Sequence, residues 1–207
     1  MENSTLEEYQ RLIEEIRNCT KCPLHKTRTN PVPGEGPLDA RVMFVGEAPG
    51  RNEDLEGRPF VGQAGKILTE MLARIGLSRS QVYITNVVKC RPPANRDPRP
   101  EEIQACLPFL MRQIKLIRPE ILVALGRHAG RTLYGLAGLK WPGMSRAHGT
   151  AKRVVINSVS LLLFTTYHPA AALYKPEIRR VLEEDFARLK ELLGGSERGG
   201  RTLLDYL

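Results

Sequence analysis

Four short runs of apolar, mostly branched residues constrain this chain more than any other feature: Val42–Val45, Val82–Val88, Ile121–Leu125 and Leu161–Thr166. Each is flanked by turn formers and shows no alternation of polar and apolar positions, the pattern of a strand covered on both faces. Helical periodicity separates them, over Gly65–Ile75, Glu101–Ile117 and His128–Leu133, and the last run is followed by a long helical pattern, Glu177–Leu193. Strand and helix in alternation predict a parallel sheet with helices on both sides. The expected fold is therefore α/β, three layers in the order α/β/α around a central, mainly parallel four-stranded sheet. Val154–Ile156 reads either as a further strand or, with His148–Lys152 before it, as part of a hairpin.

Ahead of the first strand, Leu6, Tyr9, Leu12, Ile13 and Ile16 recur at helical spacing, so an amphipathic helix delivers the chain to Cys19 and Cys22. A loop rich in Pro and Gly, Pro31–Pro37, follows. With 207 residues, 42% of them hydrophobic and 26% charged, the chain can bury one good-sized core. One domain over residues 1–193 is expected, then a flexible linker, Gly194–Gly200, and a short tail. Lys and Arg total 31 against 23 Asp and Glu, a formal charge of +8. Such a balance favours a polyanionic partner such as nucleic acid, or else describes a basic but unspecialised surface. No signal-peptide core and no apolar stretch of membrane-spanning length is present, so a soluble, cytoplasmic protein is expected, with a monomer as the default.

In open parallel sheets ligands sit beyond the carboxyl ends of the strands. Those ends carry Gly46-Glu47-Ala48-Pro49-Gly50, Asn86 and Tyr167-His168-Pro169, so three chemically suggestive segments are predicted to converge on one edge. The four cysteines form a second set: Cys19 and Cys22 as a C-x-x-C pair, Cys90 and Cys106 far downstream around a loop rich in Pro and Arg. Four thiolates complete one tetrahedral metal or cluster site. Spacing alone leaves structural zinc, iron, disulfides, thiol exchange and unrelated thiols open.

Several separated segments then carry a resemblance: Gly46–Gly50 followed by Glu53-Asp54, Arg58-Pro59-Phe60-Val61-Gly62, Thr85-Asn86-Val87-Val88-Lys89-Cys90-Arg91-Pro92-Pro93, and His168-Pro169-Ala170-Ala171-Ala172-Leu173. In this order and together with all four cysteines, over roughly Cys19 to Leu193, they resemble the family 4 uracil-DNA glycosylases. The resemblance implies removal of uracil from DNA by hydrolysis of its N-glycosidic bond, the opening step of base excision repair. It also implies that Cys19, Cys22, Cys90 and Cys106 hold a [4Fe-4S] cluster of structural rather than redox role. The Arg-rich, His-containing insertion of relatives that capture uracil-DNA covalently is missing, which points to turnover.

A base inside a duplex is out of reach, so such an enzyme must flip it out, stack it and read its polar edge. Phe60, in a loop, is the expected stacking ring, worth about 1–3 kcal/mol per base; the alternative is a core aromatic. Asn86 ends a strand, and its amide can donate and accept, as uracil's adjacent carbonyl and N–H require; a local turn cap is the alternative. His168 is expected to donate to the uracil O2 as negative charge develops on the leaving base. Glu47 is the candidate to orient water or to stabilise the cationic sugar, or else forms an ion pair. Ala48 contributes to the uracil site and stands where other families of the superfamily carry a polar water-activating residue. Glu53 resembles the family residue beside C5 of uracil, whose bulk excludes the thymine methyl group; a solvated surface acid is the alternative. Tyr167 and Ala170–Leu173 are candidates to wedge the minor groove, and Arg91, Arg96 and Arg99 to meet phosphate. His128 and His148 receive no role.

The tail, Gly200-Arg201-Thr202-Leu203-Leu204-Asp205-Tyr206-Leu207, resembles a sliding-clamp binding peptide, with Leu203, Tyr206 and Leu207 on one face of a helical turn and Gly200 where Gln is usual. A frayed or self-docked terminus is the alternative. Two other functions compete: a non-catalytic nucleic-acid-binding module with a structural four-cysteine metal site, and an iron-sulfur electron carrier, which has no use for the convergent Glu, Asn, Phe and His loops.

Overall fold

A computed structural model describes residues 2–197. In chain order the elements are α1 (Glu2–Arg17), β1 (Val42–Gly46), α2 (Arg51–Glu56), α3 (Gln63–Arg74), β2 (Tyr83–Asn86), α4 (Pro100–Ile117), β3 (Ile121–Leu125), α5 (Gly126–Leu136), α6 (Met144–Ala147), β4 (Thr150–Ile156), β5 (Val159–Thr166) and α7 (Pro176–Glu197). All four apolar runs hold buried strands, although β2 covers only Tyr83–Asn86 of the Val82–Val88 run and lies at one edge of the sheet. The sheet order is β2-β1-β3-β5-β4, and β1 pairs in parallel with both β2 and β3, as β3 does with β5.

The sheet has five strands rather than four. The fifth, β4, pairs antiparallel with β5 across a tight turn in which Asn157 and Ser158 both take positive φ, the signature of a two-residue hairpin. It is an edge strand with one solvated face, where Arg153 and Val155 are exposed while Val154 and Ile156 are buried, so it lacks the unbroken apolar run that reveals the other four.

Alternate residues of the strands feed two cores. Met43, Val45, Leu122, Ala124 and Leu163 face α1, α4 and α5 through Leu12, Ile16, Phe109, Leu110 and Leu133. Phe44, Ile84, Val123, Leu125 and Phe164 face α3 and α7 through Leu68, Met71, Leu182 and Phe186. Burial of Leu182, Phe186 and Leu189 anchors α7, which continues through Gly194 and Gly195 to Glu197, where a linker is expected. Each glycine costs about 1 kcal/mol in a helix, so the last turn of α7 rests on the packing behind it rather than on its own propensity. Leu203, Tyr206 and Leu207 lie outside the described residues. Among the described residues no helix is long and apolar enough to cross a membrane.

Candidate active site

The chain runs outward from β1 to β2 and back over β1 to β3, so loops diverge above the carboxyl ends of these strands and leave a crevice. A cavity of about 360 Å³ opens there, lined by Glu47, Ala48, Pro49, Gly50, Glu53, Phe60, Asn86 and His168, and on a further side by Pro92, Asn95, Arg96 and Asp97. Every residue expected at the uracil site is among them.

Asn86 ends β2 opposite Gly46, the last residue of β1. It is 2% exposed, and its side-chain oxygen is buried without a hydrogen-bond partner. An unmet buried acceptor costs roughly 1–3 kcal/mol, so this oxygen is prepared for a donor that arrives from outside. A turn cap would already be bonded. The neighbouring position has to be glycine: a Cβ on Gly46 would lie 2.3 Å from the Asn86 oxygen and 2.7 Å from the tip of the Phe60 ring.

Phe60 packs into the core below α3 and lines the cavity as well, so the two readings of this ring meet in one residue. Its φ of 52° lies in the left-handed region, which costs a residue with a Cβ about 1–2 kcal/mol. Two charged side chains hold it there. Glu53 accepts from the backbone N–H groups of Val61 at 2.9 Å and Gly62 at 2.8 Å, and from that of Gly50 at 3.1 Å. Arg79 donates to the carbonyls of Phe60 at 2.9 Å and Pro59 at 2.7 Å, and is itself fixed by Glu35 at 2.7 Å. The Phe60 carbonyl presses against α3 so closely that a Cβ on Gly65 would come within 1.8 Å of it. Glu53 is therefore not a solvated acid. It lines the cavity and ties the loop of the first strand to the loop of the ring.

His168 follows β5, where Pro169 starts a 3-10 turn and fixes the exit of the chain. Its Nδ1 accepts the backbone N–H of Ala170 at 3.1 Å, which leaves the proton of a neutral ring on Nε2. Burial pulls the imidazole down to about 4, with the Glu53 carboxylate partly opposing, so the ring is neutral at physiological pH and still a donor. It faces Phe60 with ring centroids 5.5 Å apart and planes 28° from parallel, an offset stack.

Glu47 stands across the cavity. His128 in the first turn of α5 brings Nε2 to 3.8 Å from its carboxylate and to 3.1 Å from that of Asp97, and Arg127 donates to Asp97 at 2.8 Å. Burial raises the Glu47 carboxyl above its ordinary value, His128 and Arg127 draw it down, and Asp97 pushes it up. Ala48 lines the cavity beside Glu47 and contributes only apolar surface. Sequence reasoning did not find Arg79 or Asp97 and left His128 without a role; each meets the site through partners distant in the chain.

The four cysteines line one small cavity between α1 and α4. Donors point at their sulfurs: Arg28 Nη1 at 3.1 Å from Cys90 Sγ, and the Lys89 N–H at 3.3 Å from Cys106 Sγ. Burial raises the thiols of Cys22 and Cys90, and that of Cys106 to about 11. Lys89, fully buried, bridges this region to the end of β2: its ammonium donates to the Asn86 carbonyl and Gln113 Oε1, both at 2.6 Å, and to Thr85 Oγ1 at 2.7 Å.

Of the expected DNA contacts, Arg96 is engaged by Glu102 through both guanidinium nitrogens, and Arg91 donates to Asn95. Arg99 remains exposed. In the loop after His168 Ala172 is buried, while Leu173 is 37% and Tyr174 87% exposed.

In a mostly parallel sheet, the crevice above three strand ends gathers an unsatisfied amide, an aromatic ring, a neutral imidazole and a carboxylate. The chain belongs to the uracil-DNA glycosylase superfamily: the profile of the Uracil DNA glycosylase superfamily matches residues 33–190. Within that superfamily it groups with proteins named type-4 uracil-DNA glycosylase. It is 50% identical to the one from Archaeoglobus fulgidus over 202 residues, covering 98% of this chain and all of the relative. It is 54% identical to that of Saccharolobus solfataricus over 183 residues, 88% of this chain and 85% of the relative, and 44% identical to that of Thermotoga maritima over 196 residues, 91% and 97%.

Proposed function

We propose that the protein excises uracil from DNA, single- or double-stranded, by hydrolysis of the N-glycosidic bond, and that Asn86, Phe60, His168 and Glu47 carry the reaction. The observation that supports this most is the buried, partnerless oxygen of Asn86 in the cavity wall. Uracil offers an N–H at N3 beside a carbonyl at C4, so one amide can accept from the first and donate to the second. Cytosine offers no proton at N3 and an amino group at C4, which leaves the Asn86 oxygen unmet and sets amine against amine.

A base lying on Phe60 is at the level of the His168 ring and beside it, because the offset stack leaves no room for a base between the two rings. The Nε2–H then points along the plane of the base, toward O2. As the bond from C1′ to N1 lengthens, its electron pair moves onto the base and charge accumulates at O2. A fixed donor there acts more strongly in the transition state than in the ground state; removing a donor of this kind typically costs about 100- to 1,000-fold in rate. A neutral donor also avoids placing a full cation against substrate before charge has developed. Glu47 faces the sugar, where its carboxylate opposes the developing positive charge. Glu53 adds bulk beside C5, against the thymine methyl group, and holds the loop that presents Phe60.

The cysteines fit a [4Fe-4S] cluster better than zinc. Zinc bonded to sulfur at about 2.3 Å requires thiolates about 3.8 Å apart, whereas no three cysteine sulfurs among the described residues lie within 4.8 Å of one another. N–H donors aimed at sulfur suit cluster ligands as well. Cys19, Cys22, Cys90 and Cys106 would hold the group, which cross-links α1, the segment after β2 and α4 when bound.

Release of base from a uracil-containing oligonucleotide, beside a matched thymine control, tests the reading. Uracil-specific release that falls at least 100-fold in Asn86→Ala and His168→Ala is expected. No release from intact, cluster-loaded protein would favour the non-catalytic binding module instead. The tail is proposed to dock on a sliding clamp; Leu203→Ala with Tyr206→Ala abolishes clamp affinity if so, and leaves it unchanged if not.

A further inference from the structure

Two titratable side chains beside Glu47 take no part in reading the base. Asp97 lies in the loop before α4 and His128 in the first turn of α5, yet both converge on Glu47, and one ligand atom from each of the three lies within 4.8 Å of the others. The position after Glu47 is Ala48, so the chain offers no polar neighbour there to receive a proton from water. Resting on the glycosylase reading, we propose that His128 and Asp97 are positioning residues that hold Glu47 as acceptor of the hydrolytic water's proton.

The step balances. The C1′–N1 bond breaks with its electron pair leaving on uracil N1, the water oxygen forms the new bond to C1′, and its proton passes to the Glu47 carboxylate. The uracil anion, held by His168 and Asn86, is protonated by solvent after release.

Geometry makes Glu47 the member that acts. Glu47 and Asp97 both line the cavity, but Asp97 is tied to Arg127 at 2.8 Å and lies 3.1 Å from His128, whereas Glu47 stands 3.8 Å from His128. The charged groups facing Glu47 are His128 and Arg127 from α5 and Asp97 from the loop, and Arg127 Nε also donates to His128 Nε2 at 3.1 Å. Arg96, on the same loop, is occupied by Glu102. His128 favours the charged form of Glu47 and Asp97 opposes it, so the two neighbours tune one carboxylate in opposite senses.

The working form of Glu47 is the carboxylate, so uracil release rises with pH through its titration. His128→Gln removes a group that favours the carboxylate and moves this acid limb to higher pH; Asp97→Asn removes a like charge and moves it to lower pH, each by about half to one pH unit. The experiment measures single-turnover release against pH for the cluster-loaded wild type and both variants, with the Glu47 carboxyl titrated in parallel by carbon-13 NMR. Opposite shifts in both readouts support the proposal. Loss of rate at every pH with no shift, or shifts in the same direction, overturns it. A wild type that releases no uracil removes the glycosylase reading and this inference with it; release with an unmoved limb overturns the inference alone.

Discussion

Replacement of Gly46 by alanine tests whether the space above the end of β1 belongs to the base. The backbone there is ordinary strand, so alanine meets no conformational penalty, and the whole effect comes from one methyl group. That carbon would sit 2.3 Å from Asn86 Oδ1 and 2.7 Å from the Phe60 ring, where unstrained contact begins near 3.4 Å. Both partners must retreat, each by about 1 Å. Asn86 is held by the β1–β2 ladder and by Lys89 on its carbonyl, and the backbone of Phe60 is pinned by Arg79. The displacement therefore falls on the amide and the ring face, the two surfaces that receive the base. Overpacking of this kind costs about 1–3 kcal/mol of stability, or a few degrees of Tm in a chain of this size. A 1 Å misplacement of a positioning group costs about 100-fold in rate. Gly46→Ala should thus melt slightly earlier, bind abasic DNA as the wild type does, and release uracil about 100-fold more slowly in single-turnover assays well below Tm. A release rate within threefold of wild type would show that the base does not occupy this corner.

Phe60→Ala should lower kcat/KM for uracil release roughly 5- to 150-fold, the value of one stacked base, and leave iron content unchanged; an unchanged kcat/KM would remove the ring from the base site. Arg79→Met frees the carbonyls of Pro59 and Phe60 and leaves Glu35 with Arg58 as its remaining partner, so a loss of about 2–4 kcal/mol in a denaturant melt and a raised KM are expected; a normal melt would show that Phe60 holds its backbone unaided. His168 takes a proton near pH 4 in the folded chain and near 6.5 in the unfolded one. Folding therefore disfavours the protonated form, and stability falls as pH drops from about 6.5 to 4, by something of the order of 2–3 kcal/mol. His168→Gln should flatten that window in pH-dependent melts. Cys106→Ser should release iron, bleach visible absorption and lower Tm, and retention of all three properties would dissociate the cysteines from a bound cluster.

The central strands were legible because burial on both faces writes an uninterrupted apolar run. β4 was half legible: its exposed Lys152 and Arg153 hide the strand, and only the hairpin alternative pointed to it. The motif residues were legible as types at strand ends, and the cavity gathers Glu47, Ala48, Glu53, Phe60, Asn86 and His168. What each does there was less so. Nothing local in the sequence says that both oxygens of Glu53 are taken by amides of two loops, or that Arg79, 19 residues after Phe60, closes on its carbonyl. Asp97 and His128 meet only because α4 and β3 bring their loops together, a property of topology that periodicity does not carry. The extension of α7 across Gly194 was hidden because composition suggests a linker, while the packing that sustains the helix lies further back, at Phe186 and Leu189.

The fixed ring at Phe60 has a consequence for how the protein searches DNA. A side chain that settled only on contact would subtract about 0.5–1.5 kcal/mol of ordering entropy from every encounter, correct or not. With the ring buried against His168 and its backbone fixed by Glu53 and Arg79, that entropy is already lost in folding, and the slot has the same dimensions for every nucleotide that swings toward it. Rejection then needs no rearrangement: a base that does not match the amide and the ring finds nothing that yields, and the time spent at each undamaged site is set by how quickly that base falls back into its stack.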